Sequence, residues 1–339
     1  MNCELTNRFL IIILIISSLI LGCNPGGPEV VVYVSVDRMY AEPILKRFED
    51  STGISVRALY DVEAAKTTGL VNRLIVEKEF PRADLFWNGE FAQTIRLKKE
   101  DVLAPYNSPN AKGVPENYKD KDHFWTGFCG RARILIINTD MVERHLFPLS
   151  IFDLLDPDFP IQETGIAYPL FGTTFTHAAA IYALLGEEEG RVFFEELYKK
   201  GIKVAPGNST VRDLVAGGEL AVGFTDTDDA CGALKRNKPV AVVYPDQDSI
   251  GTLIIPNTVA LVAGGPNPDQ AKRLIDFLLD PSTETELLNM GWSQVLLRPG
   301  SPGGSCLGNS PIRGMNVSLE EIYLQMDQVK RDMSEIFVK

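Results

Sequence analysis

From Val30 to Val34 every residue is apolar or aromatic (Val-Val-Val-Tyr-Val). A run without polar alternation marks a strand covered on both faces, as in a parallel sheet. The period then changes. Between Tyr40 and Ser51, Ile44, Leu45 and Phe48 fall on one helical face, and Gly53 closes the helix. Ile54 to Tyr60 reads as the next strand, and Thr67 to Glu79 as a helix with Leu70, Val71, Leu74 and Ile75 in register. Ala83 to Trp87 and Phe91 to Lys99 repeat the alternation. This order predicts a doubly wound parallel α/β sheet.

A second block follows the same plan: strands at Gly165–Tyr168, Lys203–Ala205 and Leu220–Phe224, with helices at Thr174–Leu185, Arg191–Lys200 and Val211–Ala216. Arg133 to Asn138, and Val240 to Tyr244 with Thr252 to Ile255, read as segments crossing between two lobes. The chain returns to lobe one with the strand Thr258–Val262 and the helix Pro268–Leu279. Pro299 to Gly308 is a Gly/Pro/Ser-rich loop, and Ser318 with Glu320 and Glu321 caps a last helix running to about Phe337. The expected division is a leader at 1–22, a tether at 23–28, lobe one at 29–130 plus 256–300, lobe two at 131–255, and a loop with C-terminal helix at 301–339.

The leader reading rests on Arg8 followed by the apolar run Phe9–Leu21, too short to span a bilayer. It ends in Ile20-Leu21-Gly22-Cys23, which resembles the bacterial lipobox and implies lipidation of Cys23. The expectation is an extracytoplasmic, periplasmic domain tied to a bacterial membrane by acyl chains. Net charge is −12, which argues against nucleic acid and against a polybasic grip on lipid. Beyond Cys23 the domain carries Cys129, Cys231 and Cys306, so at most one disulfide is expected among these three. No nucleophile elbow, zinc-protease or nucleotide-loop motif occurs. No enzyme activity and no cofactor are expected.

Further residues carry a family resemblance. Val32-Tyr33-Val34-Ser35, Thr52-Gly53-Ile54, Ala83-Asp84-Leu85-Phe86-Trp87, Leu103-Ala104-Pro105-Tyr106 and Ala216-Gly217-Gly218-Glu219-Leu220-Ala221-Val222-Gly223 occur in order. Together they resemble the solute-binding proteins of iron(III)-type ABC importers, over about Glu29 to Met290. The resemblance implies a two-lobed, hinged type II periplasmic-binding clamshell, a monomer, and an ABC permease as partner. It also implies iron-site positions. The family's histidine falls at Asp37, its glutamate near Glu90, and its tyrosine pair at Asp228-Asp229. Without phenolates, ferric iron loses its selective ligands, though carboxylates still suit a hard cation.

Ligands of open α/β sheets bind beyond the carboxyl ends of strands. That rule collects Asp37, Tyr60, Glu63, Thr67, Trp87, Asn88 and Glu90 from lobe one, and Thr173, Thr174, Thr176, Asn208, Ser209, Asp226, Thr227 and Asp228 from lobe two. Hydroxyls at helix starts suit an anion, Trp87 offers a stacking face, and the Asp-rich loop suits an ammonium or hydroxyls. The expected ligand is a small polar solute with an anionic end. The alternative is a metal ion on Asp37, Glu90, Asp228 and Asp229.

Overall fold

The structure, a computed structural model, describes residues 27–61, 68–298 and 312–338. The lipidation candidate Cys23, the leader and Cys306 lie outside these residues. The first block forms β1 (Glu29–Val34), α1 (Arg38–Thr52), β2 (Ser55–Tyr60), α2 (Thr68–Val76), β3 (Leu85–Asn88) and α3 (Ala92–Lys99). A short β4 (Leu103–Ala104) leads to the long β5 (Thr126–Asn138). The second block forms β6 (Thr164–Ala167), α4 (Gly172–Leu185), α5 (Glu187–Lys199), β7 (Lys203–Ala205), α6 (Asn208–Gly217), β8 (Val222–Asp226), α7 (Thr227–Lys235) and β9 (Val240–Val243). Then come β10 (Ile254–Val262), α8 (Pro268–Leu278), α9 (Pro281–Met290) and α10 (Leu319–Phe337).

The apolar run of β1 divides as its two-residue period requires. Val30, Val32 and Val34 pack with Ile44, Leu45 and Phe48 of α1 and with Leu274 and Leu278 of α8. Tyr33 faces the opposite core with Leu74, Phe91 and Ile95. In the second block Leu135 and Ile137 face α4 and α5, while Ile134 and Ile136 face α6 and α7.

The sheet is mixed rather than wholly parallel. Its order is β2-β1-β3-β10-β5-β8-β6-β7, with β4 on β10 and β9 on β5. β1 runs parallel to β2 and β3, and β6 parallel to β7 and β8, but β5 and β10 run antiparallel to their neighbours. One strand serves both halves. Thr126 to Ala132 of β5 pairs with β10, and Arg133 to Ile137 pairs with β8. β9 pairs with Leu135 to Asn138, so Val240–Val243 stays in the second half instead of crossing.

Shortly before β5 changes partners, within its pairing to β10, the ladder is irregular. The register slips between Pro256 and Asn257, leaving Cys129 without an opposite residue and with φ at +21°. A β-bulge of this kind bends and twists a strand. Asn257 Nδ2 holds the bulge by donating to the Cys129 carbonyl at 3.1 Å, and Trp292 Nε1 donates to Asn257 Oδ1 at 2.9 Å. Cys129 is free and buried, and burial pushes its thiol up. Cys231 is disulfide-bonded.

α10 starts with a reciprocal cap: Ser318 Oγ accepts from the Glu321 N–H, and the Glu321 carboxylate accepts from the Ser318 N–H. Its first turns reach α3 through Lys98–Glu320 at 3.8 Å and Lys99 over the Tyr323 ring. Its later turns lie on α4 and α5, where Asp332 accepts from the Tyr182 hydroxyl at 3.0 Å and from Arg191 at 2.6 Å. No helix among the described residues is long and apolar enough to cross a membrane.

Gly130 sits beside the bulge, where an added Cβ would lie 2.6 Å from the Ile255 carbonyl oxygen. Gly130→Ala is expected to cost about 1–3 kcal/mol, the range for overpacking. It should appear as a lower urea midpoint at unchanged slope. An unaltered midpoint would show that the two shared strands separate freely there.

Candidate functional site

The ends of β1, β3, β6, β8 and the middle of β5 converge on one region, and what each side chain does there is set by burial. On the first-half side, Trp87 is 0% exposed and packs within the core beside Phe128, so it presents no stacking face to a ligand. Asn88 is also fully buried. It accepts from the Ser35 hydroxyl at 2.5 Å and donates to Thr94 at 3.0 Å. Glu90 caps α3: its carboxylate accepts from the Ala92 and Gln93 N–H groups at 2.6 and 3.0 Å. Burial still pushes its carboxyl up against those donors. These positions, expected to face a ligand, hold the strand end and the next helix together.

Tyr60 is half-buried under the Arg38 guanidinium, and burial pushes its phenol up to about 12. Asp37 stands before α1 and accepts, through its backbone carbonyl, from the Tyr40 and Ala41 N–H groups. Glu63 and Thr67 lie outside the described residues.

On the second-half side most of the expected ligand groups meet, but around an arginine. Arg133 is 0% exposed and forms a 2.8 Å ion pair with Asp226. The nitrogen of that pair, Nη1, also reaches Thr173 and Asn208, and Nη2 reaches Thr174, each at 3.2 Å, while Nε has no partner among the described residues. Thr173 donates to Asp226 at 2.6 Å, Asn208 donates to Asp226 at 3.1 Å, and Thr174 donates to Asn208 at 3.1 Å. Thr176 turns back to the Gly172 carbonyl. The hydroxyls expected to receive an anion are therefore engaged inside the protein, and Asp226 is a buried counter-charge. Ser209 is exposed on the first turn of α6. His177 is 1% exposed, and neither ring nitrogen has a partner among the described residues. Burial and then the Arg133 charge keep it neutral.

The Asp-rich segment is not a loop. Asp226 ends β8 and precedes α7, so Thr227, Asp228 and Asp229 occupy the first helical turn, where carboxylates are favoured. Thr227 is buried and accepts from the Ala132 N–H. The carboxylate oxygens of Asp226, Asp228 and Asp229 lie within 4.8 Å of one another. Each faces its own guanidinium: Arg133 for Asp226 at 2.8 Å, Arg131 for Asp228 at 3.6 Å, and Arg212 for Asp229 at 3.1 Å. Asp229 is pushed up to about 7, by burial first and then by Asp228 and Asp226. Asp228 is raised in the same way, with Arg131 opposing.

Arg131 was missed in the sequence reading. It lies on the strand shared by both halves and reaches each of them. It donates to the Gly89 carbonyl at 3.0 Å, lies over the Trp292 ring at 5.1 Å, and approaches Asp228 across the gap. Burial works against its charge, but Asp228, Asp226, Asp229 and Asp37 outweigh that and hold it protonated more firmly than usual. A signal existed. Arg131 and Arg133 stand two apart in an apolar run, which puts both on one face of a strand. At the rim, Phe171 is 71% exposed and stacked on Tyr168.

The family model described as bacterial extracellular solute-binding protein matches residues 81–289, a span holding Arg131, Arg133, Arg212, Asp226, Asp228 and Asp229 but not Asp37. A Salmonella typhimurium protein named for periplasmic 2-aminoethylphosphonate binding is 26% identical over 250 residues, 72% of this chain and 70% of its own. Iron uptake protein A1 of Synechocystis is 24% identical over 292 residues, 81% of this chain and 78% of its own. The apo ferric ion-binding protein A of Pasteurella haemolytica superposes with a TM-score of 0.81 at 20% identity, covering 92% of this chain and all of that one. AfuA of Actinobacillus pleuropneumoniae, solved with fructose-6-phosphate, superposes with a TM-score of 0.76 at 20% identity, covering 93% of this chain and all of that one. At these identities the structural likeness establishes the two-lobed type II periplasmic-binding fold, not a ligand.

Two outcomes are expected. Asp226→Asn leaves a buried guanidinium without its counter-charge and should destabilise by about 3–5 kcal/mol in denaturant unfolding; a loss within error would mean that the hydroxyls alone satisfy Arg133. Asp229 titrates higher folded than at its ordinary 3.8. The native state thus holds the extra proton between the two values, and stability should fall as pH rises from about 4 to 7. Asp229→Asn should flatten that slope, as read from unfolding free energies across the range.

Proposed function

The chain belongs to the bacterial extracellular solute-binding proteins, and from that premise we propose that it is the capture component of an ABC importer for a small organic solute with an anionic end. Its relatives are periplasmic binding proteins, which places its work outside the cytoplasm. The observation that carries the ligand reading is Arg131. It sits on the strand common to both halves and touches Gly89 and Trp292 on one side and Asp228 on the other. A solute anion received there contacts both halves at once, the arrangement that lets binding draw a hinged pair together. No catalytic step is assigned to the site. In the same reading the chain acts as a monomer, docks on a cognate permease, and is held to the membrane through Cys23.

A second reading, capture of a ferric or other hard metal ion, has one observation in its favour: the three carboxylates of Asp226, Asp228 and Asp229 gathered within 4.8 Å. The guanidinium opposite each of them repels a multivalent cation, and Glu90 already caps α3. That balance favours the organic solute.

Thermal unfolding with and without candidate solutes separates the two. A solute present at a hundredfold over its Kd should stabilise by about 2.7 kcal/mol, a rise of roughly 5 °C for a chain of this size. The expected result is such a rise with phosphonates or sugar phosphates, and no metal in protein purified without chelator. Stoichiometric iron together with a chelator-sensitive Tm would replace the organic reading by the metal one.

A further inference from the structure

We infer that the first half rests on the bilayer by the edge from which its strands start, with Phe80 and Val76 dipped into the lipid interface. This goes beyond the solute reading and rests on the proposed lipid at Cys23. Phe80 and Val76 are the most exposed large apolar side chains among the described residues, at 86% and 84%. Val76 ends α2, and Phe80 follows in the turn that leads to β3. A helix crossing between parallel strands returns the chain to the edge where those strands begin. Asp84 fixes that edge. Its carboxylate accepts from the Val31 N–H at 2.7 Å, and its own N–H donates to the Val31 carbonyl at 2.8 Å. Glu77 braces the turn: its carboxylate accepts from the Tyr33 hydroxyl at 2.7 Å and from Arg73 at 2.8 Å, and its carbonyl accepts from the Phe80 N–H at 2.9 Å. The two apolar side chains thus stand on a braced corner of the first half.

The length of chain ahead of the fold says what covers that corner. Gly27 follows Cys23 by four residues, and Glu29, the first residue of β1, by six. Six residues fully extended span roughly 20 Å. A lipid on Cys23 therefore keeps the start of β1 close to the bilayer surface, and the corner of Phe80 and Val76 belongs to the same edge. Two apolar side chains are too small a grip to recruit a free protein. A short tether raises the local concentration of lipid to the millimolar range, where so weak a contact is occupied. The tether also favours lipid over a second protein as the occupant, because the chain itself holds only the lipid there. Around Phe80, Lys78 and Arg82 stand beside Glu77 and Glu79, so the corner gathers no net charge. The contact is apolar and needs no anionic lipid, in keeping with a chain of net charge −12. In this pose the opposite end of β3, where Arg131 meets Gly89, points away from the lipid and stays open to solute.

Tryptophan fluorescence of the whole protein tests this. The chain is produced with its leader in a bacterium, purified from the membrane and reconstituted in phosphatidylcholine vesicles, and the mass of the mature chain reports the lipid on Cys23. Phe80→Trp is compared with Val192→Trp, an exposed position on α5 of the second half. The wild-type chain, whose Trp87, Trp125 and Trp292 are buried, supplies the background. The expected result is a blue shift of the added emission in Phe80→Trp. Lipid brominated near the headgroup end of its acyl chains should quench it, as a depth of about 5–10 Å requires. Val192→Trp should show neither effect. Val76→Trp should behave as Phe80→Trp does, and circular dichroism with the urea midpoint checks the fold of each variant. Lipidated Phe80→Trp protein that is neither shifted nor quenched overturns the membrane contact and leaves both the anchor and the solute reading intact. A blue shift without quenching puts protein rather than lipid over the corner and overturns it as well. A mature chain without the added lipid mass overturns the anchor and the contact together.

Discussion

Arg131 and Arg133 stand on one face of a strand whose other side chains are almost all apolar, and the cleft is organised around satisfying those two charges. A buried guanidinium left alone costs several kcal/mol. Arg133 is held through both terminal nitrogens, with Nε alone left without a partner among the described residues: Asp226 from the end of β8, Thr173 and Thr174 from α4, and Asn208 from α6 close around it. Three separate chain segments are thereby pinned to one ion, which makes the floor of the second half rigid. Arg131 is satisfied only in part. It leans on a carbonyl and a ring of the first half, with Asp228 beyond close contact. The same residue type, two positions apart, serves once as a structural rivet and once, in the proposed reading, as a receptor.

The strand that carries both charges is also the mechanical link. β5 gives its first part to β10 and its second part to β8, so the guanidinium proposed to meet the solute is attached to the backbone about which the halves are joined. The bulge at Cys129 lies two residues from Arg131, and the Asn257–Trp292 pair that steadies it also supports the ring beneath that guanidinium. Occupancy of the pocket and bending of the strand are therefore mechanically adjacent.

Much of the architecture was legible in the chain, because buried parallel strands and amphipathic helices each leave a simple period. β1 to β3 and the helices between them follow from apolar runs and three-to-four spacing. The antiparallel placement of β5 and β10 was not legible, since strand direction depends on contacts far apart in sequence. The same holds for β9, whose apolar run looks like a crossing until its partner is known. At the site, positions were read better than roles. Thr173, Thr174, Asn208 and Asp226 do assemble, but around Arg133. Trp87 and Asn88 stand at the expected strand end, yet burial makes them core and brace. Reading by residue type alone favours groups that resemble ligands and passes over an arginine in a hydrophobic run.

α10 joins α3 of the first half to α4 and α5 of the second, and it does so well away from the pocket. Contacts of that kind on both halves favour whichever separation of the halves satisfies them best. Any preference they impose for open or shut is subtracted from, or added to, the apparent grip on cargo. Uptake thresholds can then drift through substitutions on this tail while the pocket keeps its chemistry. Related importers could thus be tuned to scarce or abundant nutrients from the outside of the protein.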